Sequence, residues 1–445
     1  MIYIQSVVSA RFITPMLTLQ KRELLNELID QFTDSVNFCI QKCLEHGTTS
    51  RASLHRVAYQ EWKLRFNLAT HWFHSASQVA TQTLRSWRKL CHRGQADPKK
   101  PPIYGARTMQ LELWIDKNST GVCRFKGNAI QIRVCRGEYL WLPLVVTEHH
   151  ELAYTKDWRN GKMKVGKITI SLFRDRANVF VPFKRDVKPM QAEGICGIDI
   201  NERSVDLCIL KPDEQPKHIK LDTSKLASVA HAMELKQKSI QKKLDMLPKR
   251  PIQRERLKRK YQRRRHNRTN QILHVVSKEI TEVLARQRVE PIFEDLTNIR
   301  ASMRSKRKSK NDRALRKDMR RRLNQWPFRK LQFFVKYKAL RCGFETRYVR
   351  AEGTSSTCPM CGSHTKPNGH VFSCRACGFA SDRHAVGAYN IAVRYVKDVG
   401  SHVPPEWRQM MPSVEKPMAT VKLEVEAQRS PQNYGVLGRE YFYLE

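Results

Sequence analysis

The chain has 445 residues, 40% of them hydrophobic, and carries 82 lysines and arginines against 42 acidic residues. This length and apolar content predict a globular protein with two or three cores and exclude a disordered chain. The formal charge of +40 exceeds what solubility requires and predicts a polyanionic partner; no apolar run approaches the roughly 18–20 residues of a membrane-spanning helix, so nucleic acid is favoured over a membrane.

The first 190 residues change their hydrophobic period twice. Residues 1–15 alternate like a β-strand, residues 16–99 repeat apolar side chains at helical spacing, and residues 100–190 contain short β-rich segments separated by turns. This pattern predicts a β-barrel or sandwich formed by the first and third segments, with a helical bundle inserted between them.

A new domain is predicted from residue 191. The segment GICGIDINERSVDLCIL predicts two strands joined by a polar turn at 201–204. A long helical hairpin follows, with its break at Pro248 and Pro251, and a further helix is predicted to begin at Pro327 and to end at Gly343.

Two runs concentrate the positive charge. Lys and Arg outnumber acids 13 to two between Lys242 and Arg268, and 14 to two between Arg300 and Lys330. A solvated helix face is the plainer explanation, but runs this one-sided repel themselves unless a phosphate backbone neutralises them. The residues predicted to bind nucleic acid are Arg254, Arg256, Lys258, Arg259, Lys260, Arg263, Arg264, Arg265, Lys306, Arg307, Lys308, Arg320, Arg321 and Arg322.

Two CxxC pairs predict a zinc ribbon over residues 351–380. CPMCG supplies Cys358 and Cys361, and CRACG supplies Cys374 and Cys377. Four thiolates complete a tetrahedral shell, so the Zn²⁺ is expected to be structural. Because these thiols must stay reduced and the start of the chain lacks a signal-peptide pattern, we expect a cytoplasmic protein.

Three acidic residues interrupt apolar patterns: Asp199 in GIDI, Glu294 at the end of VEPIFE, and Asp382 before an apolar helix. Acids brought from two strand ends and a helix start can hold two Mg²⁺ or Mn²⁺ ions about 4 Å apart, the arrangement that hydrolyses phosphodiesters. Each acid alone has a plainer explanation: Asp199 as a turn cap, Glu294 as an arginine partner, and Asp382 as a helix N-cap.

The order of these motifs resembles the transposon-encoded TnpB proteins and the small type V CRISPR effectors descended from them. The segments that carry the resemblance lie between Gly194 and about Val396 and are GIDINERSVDL, FEDLTNIR, QWPFRKLQFFVKYKALRCGFE, TSSTCPMCG, CRACGF and DRHAVGAYNIA. The resemblance implies a multidomain α+β protein with a split RuvC-like nuclease core of RNase H fold. In that core Asp199 and Glu294 match the first two catalytic acids.

The family architecture implies an order of domains. It places a wedge-like β-barrel at 1–15 and 100–190, a helical recognition bundle at 16–99, the RuvC-like core with its basic hairpin at 191–350, the zinc ribbon at 351–380, and the last RuvC-like motif at 381–400. Residues 401–445 contain several prolines and lack clear periodicity, which predicts a flexible tail.

The resemblance also implies an RNA-guided DNA endonuclease. Such a protein, prokaryotic and associated with the nucleoid when bound to DNA, binds a structured guide RNA, recognises a short flanking motif and cleaves double-stranded DNA. The source of the guide, a transposon end or a CRISPR array, is open, and so is the choice between a monomer and a homodimer on one RNA. A zinc-ribbon accessory factor of transposition, without guide RNA, is a further alternative.

One position departs from the family pattern. The last motif of the family usually reads DRD with its second acid catalytic, and here that position is His384. Three alternatives are open: His384 binds the metal through nitrogen, Asp382 supplies the missing oxygen, or the site is inactive and the protein binds DNA without cutting it.

Overall fold

The computed structural model describes residues 3–113, 121–246, 251–296, 327–365, 369–399 and 419–423. The chain divides into two compact units. Among the described residues, the first unit comprises Val7–Asp186, and the second begins at Val187 and also includes the start of the chain up to Ser6. Within the described part of the chain, no helix is long and apolar enough to cross a membrane.

Three long helices of the first unit pack around aromatic side chains. They are α1 (Leu19–Glu45), α2 (Arg51–Arg65) and α3 (His71–His92). The hydroxyls of Thr18 and Ser50 cap the first two helices by accepting backbone N–H groups. Trp62 and Trp72 are fully buried between the helices, as the helical spacing of the apolar residues predicts.

The strands of the first unit form two sheets. The strands are β1 (Ile4–Ile13), β2 (Thr108–Leu111), β3 (Cys123–Lys126), β4 (Ala129–Arg133), β5 (Tyr139–Pro143), β6 (Lys164–Val165), β7 (Ile168–Phe173) and β8 (Arg176–Val187), with short helices α4 (Glu148–His150) and α5 (Lys156–Arg159) after β5. One sheet has the order β1-β8-β7-β2 with β6 beside β8, and the other has the order β3-β4-β5. Isolated bridges between Ile13 and Val145 and between Leu113 and Cys123 connect the two sheets.

The second unit is built on a mixed six-stranded sheet of order β13-β12-β9-β10-β11-β16. Its strands are β9 (Gly194–Ile200), β10 (Ser204–Leu210), β11 (Lys217–Asp222), β12 (Val289–Glu294), β13 (Arg347–Val349) and β16 (Ala419–Leu423); β14 (Val371–Ser373) and β15 (Ala380–Asp382) form a separate hairpin. The helices are α6 (Ser224–Asp245), α7 (Pro251–Gln287), α8 (Phe328–Arg341) and α9 (Arg383–Val399). Strand β9 is antiparallel to β10 and parallel to β12.

Helices cover both faces of this sheet. On one face Ile198 and Leu207 belong to a core shared with α7 and α8, and on the other Ile195 and Cys208 belong to a core shared with α9. Helix α9 approaches β9 closely, since a Cβ atom on Gly197 would lie 2.0 Å from a backbone oxygen of α9. This approach places the start of α9 beside the end of β9, where Asp199 lies.

Inside the segment predicted to be a flexible tail, Ala419–Leu423 forms β16, which pairs in parallel with β11; the prediction missed this strand because sheet pairing, not a local pattern, defines it. The second basic run falls largely outside the described residues, together with Lys306, Arg307, Lys308, Arg320, Arg321 and Arg322.

Candidate active site and zinc centre

The structure brings the four predicted cysteines of the ribbon together. All four sulfur atoms lie within 4.8 Å of one another, with Cys358 Sγ 3.6 Å from Cys377 Sγ and Cys361 Sγ 3.5 Å from Cys374 Sγ. Tetrahedral zinc with bonds of about 2.3 Å requires sulfur separations of about 3.8 Å. The residues present therefore fit a zinc ion. Among the residues described, they are the only group of three or more such ligand atoms this close together.

Asp199 and Glu294 come to the same edge of the sheet from neighbouring parallel strands. The register pairs Phe293 of β12 with Ile198 of β9, so Glu294 and Asp199 follow side by side. Burial, and then the negative charge of Asp199, raise the pKa of Glu294 to about 7. Two neighbouring acids of which one is largely buried favour a proton or a cation at this edge.

Glu294 is held in place by two further contacts. The hydroxyl of Thr354 donates to its carboxylate, and Gln332 of α8 donates to its backbone oxygen at 2.9 Å. Thr354 is in turn fixed by Asn390 of α9, whose amide donates to the Thr354 carbonyl at 2.6 Å. The loop before the zinc ribbon is therefore tied both to the predicted catalytic acid and to the last helix.

His384 lies in the first turn of α9 and contacts Asp199. Its Nδ1 atom is 3.4 Å from Oδ2 of Asp199, and the two side chains are 14% and 16% exposed. Gly387, one turn later, permits this approach, because a Cβ atom there would lie 3.0 Å from the same carboxylate oxygen. The structure thus brings together three of the four residues predicted to be catalytic.

Asp382 has a different environment. Its Oδ1 accepts the backbone N–H of His384 at 2.8 Å, which makes it the N-cap of α9, and its Oδ2 accepts Nζ of Lys220 at 2.8 Å. Partial burial opposes ionisation, but the hydrogen bonds from Lys220 and from the His384 backbone outweigh it and hold the pKa of Asp382 below its ordinary value. Both of its oxygens are engaged in positioning α9.

The donor atoms at the sheet edge suit a divalent cation. Two carboxylates supply the hard oxygens that Mg²⁺ and Mn²⁺ prefer, and an imidazole adds a nitrogen that Mn²⁺ accepts more readily than Mg²⁺ does. Burial raises the pKa of Glu294 most and the charge of Asp199 raises it further, and a bound cation would offset both effects. Asp199, Glu294 and His384 are the residues that would hold it, although their donor atoms do not all lie as close together as those of the cysteine cluster.

Sequence reasoning missed a buried polar group beside this edge. Asp206 of β10 and His218 of β11 are fully buried, with Asp206 opposite Asp199 in the strand register. Asp206 shows the same sequence feature as Asp199, an acid within an apolar strand. Its position opposite Asp199 becomes visible only when β9 and β10 pair. Its partner His218 lies 12 positions later in a strand with a mixed pattern.

The described part of the first basic run begins at the end of α6 and continues on α7, which carries all the residues of this run that are predicted to bind nucleic acid. Of its eight residues predicted to bind nucleic acid, Arg254 pairs with Asp245 at 3.1 Å and Arg259 with Glu255 at 3.0 Å. The remaining six form no ion pair with a described residue, and several of them are exposed. Helix α7 therefore presents a positive surface with little internal compensation.

Comparison with known proteins identifies relatives for both parts of the chain. A family model described as the Cas12f1-like TNB domain matches residues 328–391, and one described as the uncharacterized protein MJ0013 family matches residues 28–113. A TnpB-like protein of Methanocaldococcus jannaschii is 35% identical over 292 residues, which cover 65% of this chain and 98% of the relative. A second TnpB-like protein of that organism is 24% identical over 376 residues, covering 83% and 79%.

A solved structure has a similar fold. A chain of the Cas12f1-sgRNA-target DNA complex, determined by cryo-EM, superimposes with a TM-score of 0.55 and 14% identity, covering 84% of this chain and 81% of that one. At this identity the likeness shows a shared fold.

Proposed function

The chain belongs to the TnpB-like protein family, and from this membership we propose that it is an RNA-guided DNA endonuclease with its active site at Asp199 and Glu294. The observation that carries the proposal is the pair of carboxylates on neighbouring parallel strands, close enough that Asp199 helps to raise the pKa of Glu294 to about 7. Phosphodiester hydrolysis requires such acids to hold divalent cations.

The proposal includes the architecture of each unit. The second unit, with three antiparallel strands followed by parallel neighbours and helices on both faces, is consistent with a RuvC-like core of RNase H fold at 191–350, completed by the ribbon at 351–380 and the last motif at 381–400. In the first unit, the two bridges that connect the sheets support a barrel at 1–15 and 100–190, and the helices at 16–99 form the inserted bundle.

The partners follow from charge and from relatives. The similar cryo-EM structure contains sgRNA and target DNA, and the positive surface of α7 suits a phosphate backbone. In the proposed complex, the basic hairpin holds the guide RNA, base pairing selects the target DNA, and the first unit reads a short flanking motif.

The residues of the site have different proposed roles in cleavage. Divalent cations bound there would activate a water molecule and stabilise the negative charge on the leaving oxygen. Asp199 and Glu294 hold the cations, and Thr354 keeps the Glu294 carboxylate in position. His384 completes the donor set from α9, while Asp382 and Lys220 fix the turn that carries it.

A second function deserves a test because of His384. If an imidazole in place of the usual last acid cannot support hydrolysis, the protein is an RNA-guided DNA-binding protein that acts by occupying its target. The contact between His384 and Asp199 favours a metal-binding role over an inactive site, since it places a ligand nitrogen beside the first acid.

The experiment is cleavage of a matched double-stranded DNA by the protein co-expressed with its native flanking locus, with Mg²⁺ and with Mn²⁺. Wild-type cleavage that is lost in Asp199→Ala, with guide RNA still bound, supports the endonuclease. Tight guide-dependent binding without cleavage in either metal refutes it and supports the binding protein. If the purified protein contains no defined RNA, both RNA-guided functions are excluded, and an accessory factor of transposition is favoured.

A further inference from the structure

A fully buried carboxylate lies directly behind the first proposed catalytic acid. Asp206 and His218 are both 0% exposed, and His218 Nε2 is 3.0 Å from Oδ1 of Asp206. The other oxygen, Oδ2, accepts the hydroxyl of Ser204 at 2.6 Å and the side-chain amide of Asn201 at 3.2 Å. Both carboxylate oxygens are thus satisfied without water, as burial of a charged group requires.

One nitrogen atom connects this buried pair to the active site. Nδ2 of Asn201 donates to Oδ2 of Asp206 and also to Oδ2 of Asp199, the latter at 2.9 Å. A primary amide carries two hydrogens on one nitrogen, so one can point to each carboxylate. Asp206 therefore fixes the position of the Asn201 amide, and the amide in turn fixes the position of Oδ2 of Asp199.

The same oxygen of Asp199 is approached by His384, and no described residue donates a hydrogen bond to the other oxygen, Oδ1. A carboxylate held by one oxygen from two directions has its rotation restricted, and the second oxygen stays available to a cation. Restricting a ligand before the metal arrives lowers the entropy cost of binding, which is how groups behind a metal ligand strengthen a site.

We propose that Asn201, Asp206 and His218 form a positioning relay that fixes the Asp199 carboxylate for binding a divalent cation. This proposal rests on the proposed nuclease function, because that function identifies the ligand of Asp199 as a divalent cation. It explains why the sheet keeps a buried carboxylate and imidazole where apolar side chains would pack at lower desolvation cost. None of the three residues needs to touch the substrate.

The test measures Mn²⁺ binding to the full-length, guide-loaded protein by electron paramagnetic resonance of the free ion, with the zinc retained. Asp199→Ala on the same guide RNA gives the background of ions held by the RNA. We expect Asn201→Ala and Asp206→Leu each to weaken Mn²⁺ binding at the site roughly tenfold, the lower range for loss of a group behind a metal ligand. Asp206→Asn should retain most of the Mn²⁺ affinity, because its side-chain carbonyl can still accept the hydrogen bond from the Asn201 amide.

Two comparisons separate positioning from a purely structural role. Val205→Ala shortens a fully buried side chain on the same strand but opposite face, so it lowers the melting temperature without changing Mn²⁺ affinity. The double variant Asn201→Ala with Asp206→Leu loses no more affinity than either single variant, because both act through one contact.

Unchanged Mn²⁺ affinity in Asn201→Ala, or losses that multiply in the double variant, overturns the relay. Wild-type protein that binds Mn²⁺ at Asp199 but cleaves no DNA refutes the proposed nuclease while the variant series still decides the relay. Wild-type protein that binds no Mn²⁺ above the Asp199→Ala background overturns both.

Discussion

His384 Nδ1 lies 3.4 Å from Oδ2 of Asp199, so an imidazole lies beside the first predicted catalytic acid, at the sequence position where the family resemblance implies a third carboxylate. Nitrogen ligands suit Mn²⁺ better than Mg²⁺. We expect target cleavage to be at least tenfold faster with Mn²⁺ than with Mg²⁺ at equal concentration, measured in single-turnover assays. His384→Asp should reduce this preference and raise the Mg²⁺-dependent rate. His364→Asp, a substitution in the ribbon segment, is the control and should change neither rate.

Equal rates in the two metals for the wild type, unaltered by His384→Asp, would show that the imidazole does not contact the metal. If His384→Asp cuts DNA and the wild type does not, the wild-type site is inactive and the protein binds DNA without cutting it.

The pKa of Glu294 makes stability depend on pH when no Mg²⁺ or Mn²⁺ is present. Burial and Asp199 raise this pKa from 4.5 to about 7 in the folded protein. Between these values the folded state keeps a proton that the unfolded state releases, so stability falls as pH rises through this window and levels off above it. The pKa shift of about 2.5, at about 1.4 kcal/mol per pKa unit, gives a penalty of roughly 3–4 kcal/mol at pH 8.

Glu294→Gln removes this penalty because its side chain does not ionise. With zinc retained, the variant should melt close to the wild type at pH 5 and several degrees higher at pH 8, by differential scanning calorimetry. Glu279→Gln, at a half-buried position of α7, is the control and should follow the wild type at both pH values. If Glu294→Gln shows no gain at pH 8, the pKa of Glu294 is not raised in the folded protein.

Two acids of this site could be predicted from the sequence because the apolar residues next to them in the chain reveal their positions. The apolar pattern around Asp199 and the position of Glu294 at a strand end predicted both acids, and the structure places them on neighbouring strands. The contact with His384 and the capping role of Asp382 depend on where α9 begins, which the sequence left open among three alternatives. The two strands and the turn that carries Asn201 were predicted, but the relay was not, because it depends on where the Asn201 amide points and on His218 from a third strand.

Gly197 is the point where β9 and α9 touch most closely. A Cβ atom there would lie 2.0 Å from the Ala388 carbonyl oxygen, which belongs to the backbone and cannot rotate away. Gly197→Ala should therefore push α9 off the sheet and lower the free energy of unfolding by roughly 3 kcal/mol or more, within the upper range for overpacking. Chemical denaturation measures the change. Gly105→Ala, where a Cβ meets nothing within 4 Å, should have little effect.

The ribbon cysteines should hold one zinc ion per chain. Cys358 is 1% exposed and lies 3.6 Å from Cys377 Sγ, so Cys358→Ser removes a ligand at the buried side of the cluster. We expect the zinc content, measured by atomic emission, to fall from one to near zero, with a lower melting temperature. Cys91→Ser, outside the cluster, should retain its zinc. Full zinc occupancy in Cys358→Ser would exclude the four-cysteine site.

The positive surface of α7 should bind the guide RNA through phosphates. Lys260, Arg263 and Arg264 are exposed and form no ion pair with described residues. Phosphate contacts release counterions, so replacing all three by Gln should reduce the slope of log affinity against log salt by about 2, at roughly 0.7 per contact with single-stranded RNA. Filter binding over a range of salt concentrations measures this. Lys217→Gln, whose charge is already paired with Glu214 at 2.8 Å, is the matched control and should leave the slope almost unchanged. An unaltered slope in the triple variant would place the guide RNA elsewhere, because a helix that neutralises no phosphate cannot contribute to counterion release.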